Sequence, residues 1–116
     1  MGLEDAIALV VEQARLCEAG TAPAASVMVM AGADLMQQAP DCFQHCELSA
    51  RNYPGSFVVV TDPDQVEQLQ RRLKSLGVLS QPLPMSHGFH SLRMDAIRDK
   101  FLSRAALVPT QPARLP

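Results

Sequence analysis

Two histidines, His87 and His90, lie three positions apart with a glycine between them, in a segment rich in proline and serine. Imidazole has an unperturbed pKa close to neutrality, so a histidine at the wall of a pocket can act as a general base. The segment lies between a predicted strand and a predicted helix, where loops often carry catalytic groups. From the residues alone, a surface loop with two partly exposed histidines is the more frequent case, and both interpretations stay open.

A second group of reactive side chains is formed by Cys42, His45 and Cys46. A structural metal site usually needs four ligands, and no second cluster in the sequence supplies the rest. We therefore expect no metal at this place. The odd number of cysteines, 3, together with an acidic start that is no secretory signal, indicates reduced thiols in a cytosolic setting.

The composition excludes several classes of function. The 116 residues, 47% of them hydrophobic, suffice for one domain with a single modest core. A net charge of −2 and an aromatic content of 4% argue against a nucleic-acid-binding groove. No apolar run approaches the roughly 20 residues that a membrane-spanning helix needs. We expect a cytoplasmic chain with neither nucleic acid nor membrane as a partner.

Hydrophobic periodicity predicts how the chain positions these residues. A first helix is predicted over residues 3–18, and a last helix runs from 91 to about 103. Between residues 25 and 83 the predicted order is strand, helix, strand, strand, helix, strand. This order is typical of the ferredoxin-like α+β fold, a four-stranded antiparallel sheet with helices on one face. The predicted strands cover residues 25–31, 46–51, 57–61 and 78–83.

The segment His87-Gly88-Phe89-His90-Ser91 resembles the His-Ala-Phe-His-Ser motif of polyketide synthase acyltransferase domains. The similar context runs from residue 52 to residue 94: an Asn-containing turn, a Phe/Val-rich strand, an acidic-capped helix, Gly-Val and Leu-Pro. Leu3-Glu4-Asp5-Ala6 resembles the helix start that follows the family's nucleophile elbow. The resemblance therefore covers nearly the whole chain.

This resemblance implies an organisation and a reaction. Residues 23–85 would be the family's small ferredoxin-like subdomain, residues 1–22 a helix of its large subdomain, and residues 86–116 the histidine loop, a helix and a Pro-rich tail. The family uses a Ser-His dyad, in which serine attacks an acyl thioester and the histidine, here His90, takes its proton. No Gly-His-Ser-x-Gly elbow occurs in the sequence, so we expect this chain to supply the His but not the Ser, and to be inactive alone.

The resemblance also assigns substrate contacts. By motif position, His87 and Phe89 would shape the acyl pocket. Asn52 would contact the acyl chain or the pantetheine arm; alternatively it is a turn residue that bonds its own backbone. The family's malonyl-type members bind the substrate carboxylate with an arginine, and the aligned position here is Gln13. A neutral amide does not compensate the charge of a desolvated carboxylate, so Gln13 favours the acyl hydrolase subtype. If the alignment with the family is shifted by two residues, Arg15 takes the place of the carboxylate-binding arginine.

The implied substrates arrive on CoA or on the phosphopantetheine of an acyl carrier protein, and no other cofactor is expected. The implied partners are that acyl carrier protein and the rest of the acyltransferase or polyketide synthase. An apolar stripe on the first helix, which includes Ile7, Val10 and Val11, also favours a homodimer of the chain. The alternative function is a non-catalytic ferredoxin-like module that docks carrier or synthase domains.

Overall fold

The computed structural model describes residues 1–114 and divides into two compact units. The helical unit contains Met1–Thr21 and the described residues from Asp95 onwards, and the sheet unit contains Ala22–Met94. In chain order the elements are α1 (Leu3–Gly20), β1 (Ala25–Val29), α2 (Leu35–Gln38), β2 (Glu47–Tyr53), β3 (Ser56–Thr61), α3 (Val66–Ser75), β4 (Ser80–Leu83) and α4 (Asp95–Ala105).

The four strands form one antiparallel sheet in the order β2-β3-β1-β4. This order confirms the ferredoxin-like β-α-β-β-α-β arrangement predicted from the sequence, with helices α1 and α4 flanking it in the chain. Edge strand β2 carries two register shifts, between Leu48 and Ala50 and between Arg51 and Tyr53. The opposite edge strand, β4, contains Pro82, which has no N–H to offer a further strand.

The main core lies on the face of the sheet that α2 and α3 cover. Val27, Val29, Phe57, Val59 and Leu73 are all 0% exposed there. Every second side chain of a strand points to the same face, so alternate residues of β1 and β3 all face the helices. On the other face Ser26 is also fully buried, and its hydroxyl has no hydrogen-bond partner among residues 1–114.

The connection from β3 to α3 differs from the prediction. The sequence predicts that the Asp62 carboxylate caps the helix, with proline at the first helical position. In the structure Pro63–Gln65 forms a 3₁₀ turn before α3, and the Asp62 carboxylate pairs with Arg93 instead of capping. The end of α3 follows the prediction, since Gly77 has a φ of 73°, a left-handed value that glycine adopts without strain.

In the helical unit, α1 packs against α4. A Cβ at Gly20 would lie 2.6 Å from Ile97 Cγ2, so only a glycine permits this approach. Arg104 on α4 forms an ion pair of 2.9 Å with Glu12 on α1. The predicted apolar stripe of α1 is exposed, Val10 being 64% accessible. Over residues 1–114, every helix is too short or too polar to cross a membrane.

Candidate functional site

The histidine loop, residues 84–94, crosses one end of the sheet. It leaves β4 at one edge and reaches β2 at the other, at the end where β1 and β2 begin and β3 and β4 finish. A loop tied at several points along its length keeps its side chains in a defined place. Its hydrogen bonds to the sheet are Ala24 N to Ser86 O at 2.9 Å, Ser49 Oγ to Phe89 O at 3.1 Å, and Leu92 N to Glu47 Oε1 at 2.7 Å.

Within the loop, the chain reverses around His90. His90 has a φ of 58°, in the left-handed region that residues other than glycine rarely adopt. Phe89 N donates to His87 O at 3.0 Å, and Ser91 Oγ donates to Gly88 O at 2.5 Å. The Ser91 hydroxyl also accepts a hydrogen bond from Arg93 N at 3.3 Å, as a helix cap does. It caps the 3₁₀ turn Leu92–Met94, whereas α4 begins at Asp95, four residues after the predicted start of the last helix.

The three candidate side chains of the loop differ in burial. His87 and Phe89 are half-buried, and their rings meet edge to face with centroids 6.0 Å apart. His90 is exposed, and its imidazole has no hydrogen-bond partner within the described part of the chain. The His90 imidazole is therefore accessible from outside the loop, and its role as the base stays a prediction.

The loop is also packed tightly against itself at Gly88, which is buried. A Cβ placed on Gly88 would lie 2.7 Å from Arg93 Cδ and 2.9 Å from Ser91 Oγ. The aliphatic stem of Arg93 thus passes directly over the backbone two residues before His90. The Arg93 guanidinium continues to Asp62, with Nη1 2.8 Å from Oδ1.

Comparison with known proteins decides the family. No family model matches the sequence. The chain is 30% identical over 95 residues to a polyketide biosynthesis acyltransferase homolog, BaeD, of Bacillus velezensis, covering 82% of this chain and 29% of that protein. It is 37% identical over 111 residues to a phenolphthiocerol/phthiocerol polyketide synthase protein of Mycobacterium tuberculosis, covering 92% of this chain and 7% of the synthase protein.

Among solved structures, the acyltransferase domain of SpnD, in complex with 2-(pent-4-yn-1-yl)malonyl, superposes with a TM-score of 0.79 at 30% identity. That match covers 100% of this chain and 28% of the SpnD chain. The chain belongs to the polyketide synthase acyltransferase family. It corresponds to a part of the acyltransferase domain that includes the small ferredoxin-like subdomain, and it spans less than a third of each of these three relatives.

Two predicted substrate contacts of the acyltransferase lie outside the histidine loop. Asn52 is exposed on β2, where its Nδ2 donates to Ser56 Oγ at 3.3 Å. It lies three residues beyond Ser49, or about 10 Å along a strand, towards the opposite end of the sheet. Gln13 is exposed on α1, in the helical unit. Their roles stay predictions.

The hairpin end of the sheet has an open cavity of about 480 Å³, far along β2 from the histidine loop. Polar and charged side chains contribute to its wall, including Asp34, Gln37 and Arg51. Asn52 is the neighbour in sequence of two lining residues, Arg51 and Tyr53. On β2, Asn52 therefore lies about 10 Å from Ser49, the strand residue that binds the histidine loop.

The thiols of Cys42 and Cys46 are unreactive. Burial raises the pKa of the Cys42 thiol, and the nearby Arg72 charge opposes this only in part. Burial also raises the pKa of the Cys46 thiol, although a hydrogen bond with Thr61 acts in the other direction. Both thiols therefore stay protonated at neutral pH, and thiols bind metals as thiolates. Over residues 1–114, no three His, Cys, Asp or Glu side chains are grouped closely enough to hold a metal ion.

Sequence reasoning missed the residues that hold the acyltransferase histidine loop in place: Glu47, Ser49, Asp62 and Arg93. Each contact joins residues 31 to 45 positions apart, so no local pattern reveals it. The only signal in the sequence is the opposite charge of Asp62 and Arg93, and many other charged residues share it.

Proposed function

We propose that this chain supplies the general base, His90, of a polyketide-synthase-type acyltransferase whose serine nucleophile is carried by another part of the polypeptide. The observation that carries the proposal is the exposed imidazole on a loop within the family's motif, tied to β2 and to the residues that flank β1 and β3. An exposed histidine on a mobile loop would be a poor base, because proton transfer requires a held geometry. The half-buried His87 and Phe89 would form the wall beside the acyl group.

The proposed reaction has two halves. The serine hydroxyl attacks the thioester carbonyl while His90 takes the hydroxyl proton, and a tetrahedral oxyanion forms. Its collapse breaks the C–S bond, and the departing thiolate of CoA or phosphopantetheine takes the proton from the imidazolium. In the second half, a carrier-protein thiol or a water molecule gives its proton to His90 and attacks the carbonyl of the acyl-serine ester. Collapse of the second tetrahedral oxyanion breaks the C–O bond to serine, and the serine oxygen takes the proton from the imidazolium, which regenerates both groups.

The preferred subtype is an acyl hydrolase, in which water is the second acceptor. By the resemblance, Gln13 aligns with the arginine of malonyl-type members, and an amide does not replace a guanidinium that binds a carboxylate in two places. Gln13→Arg in a complete acyltransferase that contains this chain should raise activity toward malonyl-CoA relative to acetyl-CoA. An unchanged ratio of kcat/KM would refute the assignment of Gln13.

The partners follow from the same proposal. The substrate carrier is an acyl carrier protein, the chain works beside the rest of a synthase in the cytoplasm, and residues 1–22 belong to a large subdomain.

The exposed stripe of α1, which includes Ile7 and Val10, would pair two copies of the isolated chain. Light scattering after size exclusion tests this pairing: Val10→Glu should convert a dimer to a monomer, and a monomeric parent chain would contradict it.

The decisive experiment grafts the chain onto a complete domain. The isolated chain, incubated with an acyl-N-acetylcysteamine thioester, should give no turnover and no acylated residue by mass spectrometry. In the SpnD acyltransferase domain, this chain should replace the segment that it matches, and the chimera should form an acyl-enzyme. His90→Asn is the matched control, because asparagine tolerates the left-handed backbone at this position and removes the imidazole.

The chimera also addresses the second candidate function, a docking module without chemistry. The sheet unit favours this candidate in one respect, since Ala22–Met94 has an apolar core of its own. A folded chimera with equal activity before and after His90→Asn would support the module and exclude His90 as the base. A loss of about 10²–10⁴-fold in kcat would support the acyltransferase proposal.

A further inference from the structure

The turn that carries His90 is anchored by a side chain outside the motif. Arg93 follows His90 by three residues, and its guanidinium pairs with Asp62, the first residue after central strand β3. The Arg93 side chain is 28% exposed and the Asp62 side chain 52%. This ion pair therefore connects the outgoing arm of the turn to the middle of the sheet.

The same side chain holds the incoming arm. Its stem lies so close to Gly88 that a Cβ there would meet Arg93 Cδ at 2.7 Å and Arg93 Cβ at 3.0 Å. Arg93 thus touches the chain before His90 with its stem and the sheet with its charge. A left-handed residue other than glycine is strained, so neighbouring contacts must hold His90 in this conformation.

We infer that Arg93 is a positioning residue, which fixes the direction of the His90 side chain by clamping the turn between Gly88 and Asp62. The catalytic consequence rests on the proposed function, whereas the clamp itself does not. A half-exposed ion pair contributes little to overall stability because water screens it. Loss of the clamp should therefore loosen the turn far more than it destabilises the fold.

The first test uses the full chain and backbone ¹⁵N relaxation. Asp62→Asn and Arg93→Gln should each lower the order parameters of Phe89 and His90 from about 0.85 to below about 0.6, while the melting temperature falls by only a few degrees. Arg93→Lys keeps a stem and a charge and should restore part of the order.

The matched control is Arg71→Gln, which removes an ion pair with Glu67 in which both side chains are more than three-quarters exposed. It should leave the order parameters of the histidine loop unchanged. Unchanged order in both Asp62→Asn and Arg93→Gln would overturn the inference. A fall in order spread evenly over the sheet would also overturn it, since it would show a general structural role.

The second test uses the acyltransferase chimera. Asp62→Asn should lower kcat about tenfold and change KM less than about twofold, because the substrate wall remains while the base is misdirected. A rise in KM with constant kcat would contradict positioning. A chimera in which His90→Asn has no effect would defeat the proposed function alone, because the relaxation measurements on the chain decide the clamp independently.

Discussion

The helix-covered face of the sheet and the histidine loop are held by opposite kinds of interaction. On the helix-covered face, apolar side chains such as Phe57 and Leu73 are wholly removed from water. The loop is instead held by a few hydrogen bonds and one ion pair, several of them partly exposed. The core therefore accounts for most of the stability, since burial of large apolar side chains outweighs screened polar contacts.

This difference shows why the loop can be altered without unfolding the protein. A hydrogen bond on the surface contributes about 0.5–1.5 kcal/mol, whereas a buried phenylalanine contributes several times as much. Stability and local order should therefore respond to different substitutions in this molecule. The following substitutions separate the two regions.

The largest effect is expected in the core. Phe57→Ala should lower the free energy of unfolding by about 3–5 kcal/mol, because it removes a fully buried ring that lies beside Phe43. Urea denaturation of the chain measures this loss. Leu79→Ala, at a site that is 77% exposed, is the control and should change stability by less than about 0.5 kcal/mol. A loss below about 1 kcal/mol for Phe57→Ala would contradict the assigned role of the core.

Gly88→Ala should have the next largest effect, and a local one. The added methyl group would collide with the Arg93 stem and the Ser91 hydroxyl, so the turn must open at a cost of about 1–3 kcal/mol. Amide hydrogen exchange should become faster in the histidine loop and stay slow in β3. Gly55→Ala is the control, because its nearest contact is an ordinary 3.4 Å.

A double substitution sharpens the same prediction. If the collision with Arg93 causes the opening, Arg93→Ala should offset part of the effect of Gly88→Ala, and the two changes should not be additive. Strict additivity of the two free energies would show that the close packing at Gly88 does not depend on Arg93.

Ser49→Ala should have a smaller effect of about 0.5–1.5 kcal/mol, again confined to the loop. It removes the hydroxyl that donates to Phe89 O and leaves that carbonyl without its sheet partner. Exchange of the loop amides measures the local change. Ser75→Ala, which removes an exposed hydroxyl on α3, should leave those amides unaffected.

The smallest effect is expected for Ser26→Ala. The Ser26 hydroxyl is buried without a partner among residues 1–114, so its removal takes away an unsatisfied polar group. Stability should stay within about 0.5 kcal/mol or rise by up to about 1 kcal/mol. A loss above about 1.5 kcal/mol would show that this hydroxyl has a partner after all.

The sequence predicts the sheet well because its signals are local. The Phe57–Thr61 run of aromatic and β-branched residues identifies β3, and the apolar spacing that includes Leu69 and Leu73 identifies α3. The observed strand ends differ from the predicted ones where pairing with a neighbouring strand determines them. β2 continues to Tyr53, beyond the predicted end at residue 51, because Tyr53 pairs with Ser56 across the hairpin.

The site is only partly predictable. The motif places His87, Phe89 and His90 in one loop, as the structure shows. The side-chain partners of that loop come from β2 and from the residue after β3, and single polar residues at such positions have no periodic pattern. Asp62 illustrates the limit: its position before a helix indicates a cap, yet its carboxylate pairs with Arg93, 31 residues away.

The two outer strands have a consequence for handling the sheet unit. An unprotected edge recruits strands from other chains and can seed fibrils. Here irregular pairing distorts β2, and Pro82 interrupts the donor groups of β4. Concentrated solutions of Ala22–Met94 should therefore resist aggregation into cross-β fibrils. This resistance would make the sheet unit suitable for building chimeras.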